Sequence, residues 1–253
     1  MMKFTVITPV LNNEKSIEKT ILKVRKFSKY YSCYEHIIID GGSTDNTLNV
    51  IKNNNHPNLK TLIDYDSGIY KAINTGIKSS NGDIISILGS GDFYNDNNLS
   101  FLELENFFLT KKLDILYGDA IFFSKKNIDK KIRLYRSNKF SPQKIEWGFM
   151  PAHQSMFIRK SVYDKYGLYN ESFKVCGDYE FIARIYKNDK IKDYFLDRIL
   201  THMEHGGTSN GNLKKLITVN MEILKGCKMN NYDTNYLKIY SKYFSKIKEY
   251  FVR

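Results

Sequence analysis

Cysteine is scarce: Cys33, Cys176 and Cys227 are the only three in 253 residues, widely separated and odd in number. That pattern excludes a disulfide framework and a Cys-x-x-Cys metal site, and it suits a reducing cytosol. Long apolar runs are also missing. No stretch approaches the roughly 20 residues needed to cross a bilayer. The start, Met1 to Pro9, enters a strand at once, with too short an apolar run for a signal peptide. The expectation is a cytoplasmic protein, neither integral nor exported by that route. No internal repeat is present, and no linker rich in Pro, Gly or Ser divides the chain. The turn after the first apolar run reads Pro9-Val-Leu-Asn-Asn-Glu14 instead of Gly-x-Gly-x-x-Gly, and no Walker lysine loop follows. A dinucleotide fold is therefore disfavoured.

What is present is ample apolar content, 42%, and a formal charge of +12 with a pI near 9.3. A core can fill without staples, and the charge favours polyanions of some kind. Nucleic acid is set aside as a partner, because the lysines are dispersed and no compact RNA-binding signature occurs.

Strand and helix patterns alternate through the first half. Strands are expected at 4–9, 36–39, 59–63 and 83–88, and helices at 14–27, 44–53, 69–79 and 99–109. Such alternation predicts an α/β fold with a mostly parallel central sheet and helices on both faces. The rhythm changes after a strand at 114–117. Apolar runs flanking the polar turn at 124–129 suggest a hairpin over 120–135, and 142–151 reads as irregular. A strand at 153–159, a helix at 161–166 opened by a Ser-x-x-Asp cap and a helix at 179–187 follow. In the tail, Tyr236, Ile239, Tyr240, Tyr243, Phe244, Ile247, Tyr250 and Phe251 form one helical face, while Lys238, Lys242 and Lys246 repeat on another. Such a basic aromatic helix can lie on a membrane surface or pack its apolar face on the body.

Two apolar strands each deliver a carboxylate into a glycine turn. Asp40 ends Ile37-Ile-Ile-Asp-Gly-Gly42, and Asp92 follows Leu88-Gly-Ser-Gly91. Both fall at the carboxyl ends of strands, where open α/β sheets hold ligands. Asp40 can accept from a base N–H or a ribose hydroxyl. Asp92 can approach a diphosphate only through a divalent cation, since like charges repel. Asp66, Ser67 and Gly68 precede a helix, where they either cap it or, with Tyr70, Lys71 and Asn74, contact sugar or phosphate. His202-x-x-His205 has metal-compatible spacing but no partner carboxylate, so zinc is disfavoured.

Thr8-Pro-Val-Leu-Asn12, Asp40-Gly-Gly-Ser-Thr-Asp45, Asp66-Ser-Gly-Ile-Tyr70, Asn74-x-Gly76 and Leu88-Gly-Ser-Gly-Asp92 follow one another in a specific order and spacing. That order resembles family 2 glycosyltransferases, in their bacterial cell-surface polysaccharide branch. His153-Gln-Ser-Met-Phe157, Gly177-Asp-Tyr-Glu180 and Gly206-Gly-Thr-Ser209 look like that branch's acceptor-side segments. The resemblance implies a GT-A fold over 1–212, with a nucleotide-binding half at 1–118 and an acceptor-side half at 119–212. A C-terminal helical extension covers 213–253.

It further implies an inverting hexosyl- or N-acetylhexosaminyltransferase using a nucleotide-diphosphate sugar, with UDP the expected nucleotide. The acceptor would be a glycan or a lipid-linked glycan, and the enzyme would sit in the cytoplasm, either free or peripheral at the inner face of the plasma membrane. Asp40 would bind the nucleobase, with Thr8, Pro9, Asn12, Asp66, Gly68, Ser90 and Gly91 around the nucleotide. Asp92 would hold Mn²⁺ or Mg²⁺, although Gly91 replaces the first acid of the commoner motif. Asp178 would be the catalytic base, taking the acceptor's proton. His153, Gln154, Trp147 and His205 are candidates for contacts to acceptor or diphosphate. A family member that binds the donor but is catalytically weakened is the alternative that Gly91 raises.

Overall fold

The computed structural model describes residues 1–65, 68–97, 99–125, 127–188, 190–205 and 213–246. Its first half alternates as the patterning predicts. The elements are β1 (Phe4–Val10), α1 (Ile17–Phe27), β2 (Tyr34–Asp40), α2 (Thr47–Asn53), β3 (Leu59–Ile63), α3 (Gly68–Lys78) and β4 (Ile84–Ile87). The strands β3, β2, β1 and β4 lie side by side and parallel. Ile37, Ile38 and Ile39 are fully buried, as a parallel strand covered on both faces requires. Asp40 pairs in register with Val10 and Ile63, so three strands end on one edge.

Helices α1 and α2 each begin three residues later than the periodicity suggests, for one shared reason. The two loops clasp each other instead of winding into helix. Asn12 N donates to Ser43 Oγ at 2.9 Å, and Thr44 N donates back to Asn12 Oδ1 at 2.8 Å. Asn46 N donates to Glu14 Oε2 at 3.0 Å. Just ahead of α2, Asp45 Oδ1 accepts from Thr47 N at 3.0 Å. In α3, Gly76 is a packing requirement: a Cβ there would stand 2.5 Å from Ile7 Cγ2.

The second half holds β5 (Phe93–Tyr94), α4 (Phe101–Lys111), β6 (Ile115–Ser124), β7 (Asn127–Tyr135), β8 (Met156–Arg159), α5 (Lys160–Tyr166), α6 (Gly177–Asn188) and β9 (Asp193–Glu204). The sheet continues β4-β8-β6-β9-β5, and β7 pairs antiparallel with β6 as the expected hairpin. The strand expected at 114–117 and the hairpin's first arm are one strand, β6. Helix α5 starts after Arg159, and no side chain caps it, so the Ser161 capping pattern is not used. Strand β9 was not foreseen. It runs parallel to β6, and its register slips between Gly118 and Asp119, where Leu196 and Ile199 are the consecutive partners. The polar Asp197 and Arg198 occupy that slip and break the apolar alternation that marks a strand.

Helices α7 (Leu213–Met229) and α8 (Tyr236–Lys246) complete the described chain. Ile223, Leu224, Cys227 and Ile239 join the same buried cluster as Tyr179, Phe181 and Tyr70. The aromatic face expected of the tail is divided. Ile239 is buried and Tyr243 half-buried against the body, whereas Tyr236, Leu237, Tyr240 and Phe244 are exposed. Lys242 is buried too, not solvated on an outer face. Ile247, Tyr250 and Phe251 lie outside the described residues.

Candidate active site

The turn after β2 folds its backbone onto Asp40. Oδ1 accepts from Gly42 N at 2.9 Å and from Ser43 N at 2.7 Å. Gly42, at φ +93°, supplies a conformation that L side chains disfavour, and a Cβ there would strike the Tyr65 ring at 2.7 Å. The other oxygen, Oδ2, is buried without a hydrogen-bond partner. An unsatisfied buried acceptor is costly, of order 1–3 kcal/mol. A ligand N–H would relieve it.

The turn after β4 lies beside this one. Asn13 Nδ2 donates to Ser90 Oγ at 2.8 Å and Gly91 N donates to Thr20 Oγ1 at 2.8 Å, fixing the turn after β4 to the β1–α1 loop and to α1. The Asp92 carboxyl accepts from Glu204 N at 2.6 Å, at the end of β9. Gln154 also hydrogen-bonds Asp92, and its Oε1 accepts from Gly89 N at 2.9 Å. Burial pushes the Asp92 carboxyl up to about 7, against the lowering influence of these bonds.

Asp178 stands in the first turn of α6, half-buried. It lies inside the helix, one residue past its start, and its Oδ1 accepts from Tyr179 N at 2.8 Å. The segment before it is held by Glu222 of α7, which accepts from Lys174 N at 2.8 Å, Val175 N at 2.9 Å and Cys176 N at 2.8 Å. The Tyr70 hydroxyl donates to Val175 O at 2.6 Å and lies 3.2 Å from Asp178 Oδ1. Behind it, Asn74 clamps Tyr169: Nδ2 donates to Tyr169 O at 2.9 Å, and Oδ1 accepts from Tyr169 N at 3.0 Å. Asn74 is thus buried scaffolding and not a sugar contact. His153 Nε2 meets the Tyr169 hydroxyl at 2.8 Å, and burial holds the imidazole below its usual range although Asp178 pulls the other way.

Asp178, Tyr70, His153 and Gln154 face a cavity of about 800 Å³, whose lining does not include Asp40, Ser90, Gly91 or Asp92. Of the residues picked from the sequence, Pro9, Tyr70, His153, Gln154 and Asp178 line it, together with Gly89. Others are placed differently. Thr8 is fully buried, its Oγ1 paired with His36 Nε2 at 2.9 Å inside the sheet. Asn12 ties the two loops together, and Gly68 opens α3 at φ +68°. Trp147 is 38% exposed outside the cavity lining, with Lys238 Nζ 5.6 Å from its ring centroid. His205 is exposed, its ring 6.5 Å from that of Phe122. His202 packs on Phe93 at 4.8 Å, apart from His205. Asp66, Ser67 and the Gly206–Ser209 motif lie outside the described residues.

Among the described residues no group of three His, Cys, Asp or Glu side chains can hold a metal. Asp92 offers one carboxylate. That fits a divalent cation held mainly by a ligand's phosphate oxygens, not one caged by protein. Sequence reasoning missed Glu222, Arg133, Lys242, Tyr243 and Glu204. All reach the site from distant segments, and no local pattern marks any of them as a site residue.

A curled α/β sheet with carboxylate-bearing turns at its carboxyl edge, opening on a deep cavity, is the GT-A arrangement of sugar-nucleotide enzymes. The chain belongs to glycosyl transferase family 2, whose family model matches residues 5–167. It is a glycosyltransferase related to enzymes of cell-surface glycans. It is 28% identical over 217 residues to a PGL/p-HBAD biosynthesis glycosyltransferase of Mycobacterium bovis, covering 82% of this chain and 79% of the relative. It is 33% identical over 102 residues to the poly(ribitol-phosphate) beta-N-acetylglucosaminyltransferase TarS of Staphylococcus aureus, covering 39% of this chain and 18% of TarS. The structure of TarS 1-349 in complex with UDP-GlcNAc superposes with a TM-score of 0.68 at 19% identity, covering 96% of this chain and 73% of that one. The mannosyltransferase PcManGT of Pyrobaculum calidifontis, in complex with GDP-Man and Mn²⁺, gives 0.67 at 12% identity, covering 96% and 69%. The chain spans 43% of the longer TarS structure. No helix among the described residues is long and apolar enough to cross a membrane.

Proposed function

We propose that the chain is an inverting transferase that moves a hexose or N-acetylhexosamine from a UDP-sugar to a hydroxyl of a glycan or lipid-linked acceptor in cell-surface polysaccharide synthesis. The observation that carries the donor reading is the orphaned Oδ2 of Asp40, a buried acceptor beside a glycine turn at the sheet's carboxyl edge. A base N–H satisfies it. Pro9 and Gly89 form the part of the cavity wall nearest these turns, through which the diphosphate and sugar enter.

Asp178 is the proposed base. It takes the acceptor hydroxyl's proton as that oxygen bonds to the anomeric carbon, and the bond from that carbon to the diphosphate oxygen breaks on the opposite face. Tyr70 and Glu222 hold the carboxylate and its loop in place. His153, kept neutral by burial, adds no charge to compete with the oxocarbenium-like centre. Asp92 would hold Mn²⁺ or Mg²⁺, which when bound neutralises the departing diphosphate. The exposed Tyr236, Leu237, Tyr240 and Phe244 of α8 support peripheral contact at the cytoplasmic face of the plasma membrane.

A thermal-shift screen of UDP-, GDP- and dTDP-sugars with and without Mn²⁺ tests the donor reading. A UDP-sugar should raise the melting temperature and release UDP when an acceptor is added. No shift with any nucleotide sugar would overturn the proposal, and binding without turnover over a broad acceptor panel would favour a donor-binding member that has lost catalysis.

A further inference from the structure

Behind the cavity wall, three side chains form a short run of hydrogen bonds that fixes the proton of an imidazole. The Tyr163 hydroxyl of α5 lies 3.2 Å from the Tyr169 hydroxyl, which in turn lies 2.8 Å from His153 Nε2. Tyr163 and Tyr169 are only 2% and 3% exposed and pack on Phe181, with ring centroids 5.0 and 4.8 Å away. Among the described residues neither hydroxyl has another partner. Buried hydroxyls of this kind must place their protons within the group.

Two contacts can hold only two protons. With Nε2 bare, both hydroxyl protons are placed: Tyr163 donates to Tyr169, and Tyr169 donates to Nε2. With a proton on Nε2, three protons compete for two contacts and one is buried without an acceptor, which disfavours that arrangement by about fivefold to 100-fold. The imidazole is therefore neutral and carries its proton on Nδ1. Burial favours the same neutral form.

Nδ1 is then the ring nitrogen left for the cavity that His153 lines. Among the described residues nothing hydrogen-bonds it, and unlike His36 Nδ1 and His56 Nε2 it is not shut away as a buried atom without a partner. A second tyrosine sets what stands beside it. Tyr70, whose hydroxyl is 3.2 Å from Asp178 Oδ1, stacks on Tyr169 with ring centroids 5.9 Å apart. One aromatic stack thus holds an acceptor, the Asp178 carboxylate, and a neutral donor, the His153 N–H, toward the same space.

Resting on the transferase reading of this cavity, we propose that His153 determines acceptor specificity by donating Nδ1–H to a hydroxyl oxygen next to the one whose proton passes to Asp178. The acceptor end is then a sugar with two adjacent free hydroxyls. One donates to the carboxylate and reacts, and its neighbour accepts from the imidazole, which selects the hydroxyl that meets the base. Tyr163 and Tyr169 are positioning residues that act through His153.

The test is nitrogen NMR on the full chain with isotope-labelled histidine, first alone and then saturated with UDP. The His153 signals are assigned through the Tyr169 ring against which the imidazole packs. The free chain should show the proton on Nδ1; a proton on Nε2 overturns the proposal before any ligand is added. Methyl β-glucoside, methyl β-galactoside and methyl α-mannoside are the probes, and at least one should move the Nδ1–H resonance. Of its monodeoxy analogues, one should bind about three- to tenfold more weakly. That penalty should vanish in His153→Gln, whose amide reaches the place of Nε2, and persist in His153→Asn, whose amide N–H stands in for Nδ1–H. A merely structural histidine would show the reverse order of rescue. If neither variant melts cooperatively, the tautomer and the deoxy analogues in the unaltered chain decide. No movement by any of the three glycosides overturns the proposal, as does equal binding of every monodeoxy analogue. Movement by UDP-GlcNAc beyond that by UDP, with none by the glycosides, assigns the N–H to the donor sugar and also overturns it. Failure of UDP to bind is a different result: it overturns the transferase reading and the acceptor contact with it, while the tautomer is still read from the free chain.

Discussion

The carboxyl of Asp92 accepts the backbone N–H of Glu204 at 2.6 Å, joining the turn after β4 to the end of β9 across 112 residues of sequence. The Glu204 side chain turns the other way, to Lys19 at 3.3 Å and Lys125 at 3.1 Å. One carboxylate is thereby neutralised by lysines, and its neighbour is left buried with a raised pKa of about 7.

Cation binding should therefore depend on pH in a defined direction. Below about 7 the Asp92 carboxyl keeps its proton, and a cation must displace it. Affinity for Mn²⁺ in the presence of UDP should rise by up to about tenfold per pH unit from pH 5.5 to 7 and level off above. Titration in two buffers of different ionisation enthalpy would show the released proton. Asp92→Asn should bind weakly at every pH; an unchanged pH profile in that variant would remove Asp92 as the ligand.

Asp40→Asn separates recognition from chemistry. The amide oxygen can still accept from Gly42 and Ser43, but an NH₂ replaces the orphaned acceptor and opposes a base N–H. UDP affinity should fall by roughly 10- to 100-fold, raising the donor KM more than it lowers kcat. Equal loss in both constants would show that Asp40 acts on the transition state.

How far the sequence discloses this molecule depends on how local the signal is. The parallel half is legible because apolar strand patterns alternate with helical ones, and two of the strands are apolar runs that close in glycine turns, as with Ile37 to Gly42. Asp40, Asp92 and Asp178 stood out because each sits in a short motif. Thr8 was misplaced by the same logic: it belongs to a motif, but its hydroxyl is bound to His36 within the sheet. The Glu222 brace and the Arg133 and Lys242 wall were invisible, since each is an ordinary helical or strand residue until the chain folds. Strand β9 was lost to a register slip.

Asp178→Asn should abolish transfer by about 10²- to 10⁴-fold while leaving UDP affinity unchanged. Tyr70→Phe removes a hydroxyl that donates to Val175 O and approaches Asp178. It should cost about 3- to 10-fold in kcat. Full activity of Asp178→Asn would show that another group takes the proton.

Glu222→Gln probes positioning at a distance from the reacting atoms. Three backbone N–H groups converge on this carboxylate, and an amide presents an N–H to at least one of them. A loss of about 2 kcal/mol, or roughly 4–8 °C in melting temperature, is expected, with reduced kcat and unaltered UDP affinity. A melting point within a degree of the parent would mean that the loop is held by other contacts.

Gly91→Asp would restore the acid of the commoner motif, yet it should not improve the enzyme. The residue has φ +101°, and its Cβ would stand 3.2 Å from Glu204 Oε2 and 3.2 Å from Ser16 Cβ. The strained backbone alone costs about 1–3 kcal/mol. A third carboxylate beside Glu204 and Asp92 adds repulsion that favours the protonated form of Asp92. The variant should melt several degrees lower and bind Mn²⁺ no more tightly at pH 7, whereas adding Glu204→Ser should recover part of the stability by removing the opposing carboxylate. An unchanged melting point together with tighter Mn²⁺ binding would show that neither the positive φ of this turn nor Glu204 opposes an acid at position 91.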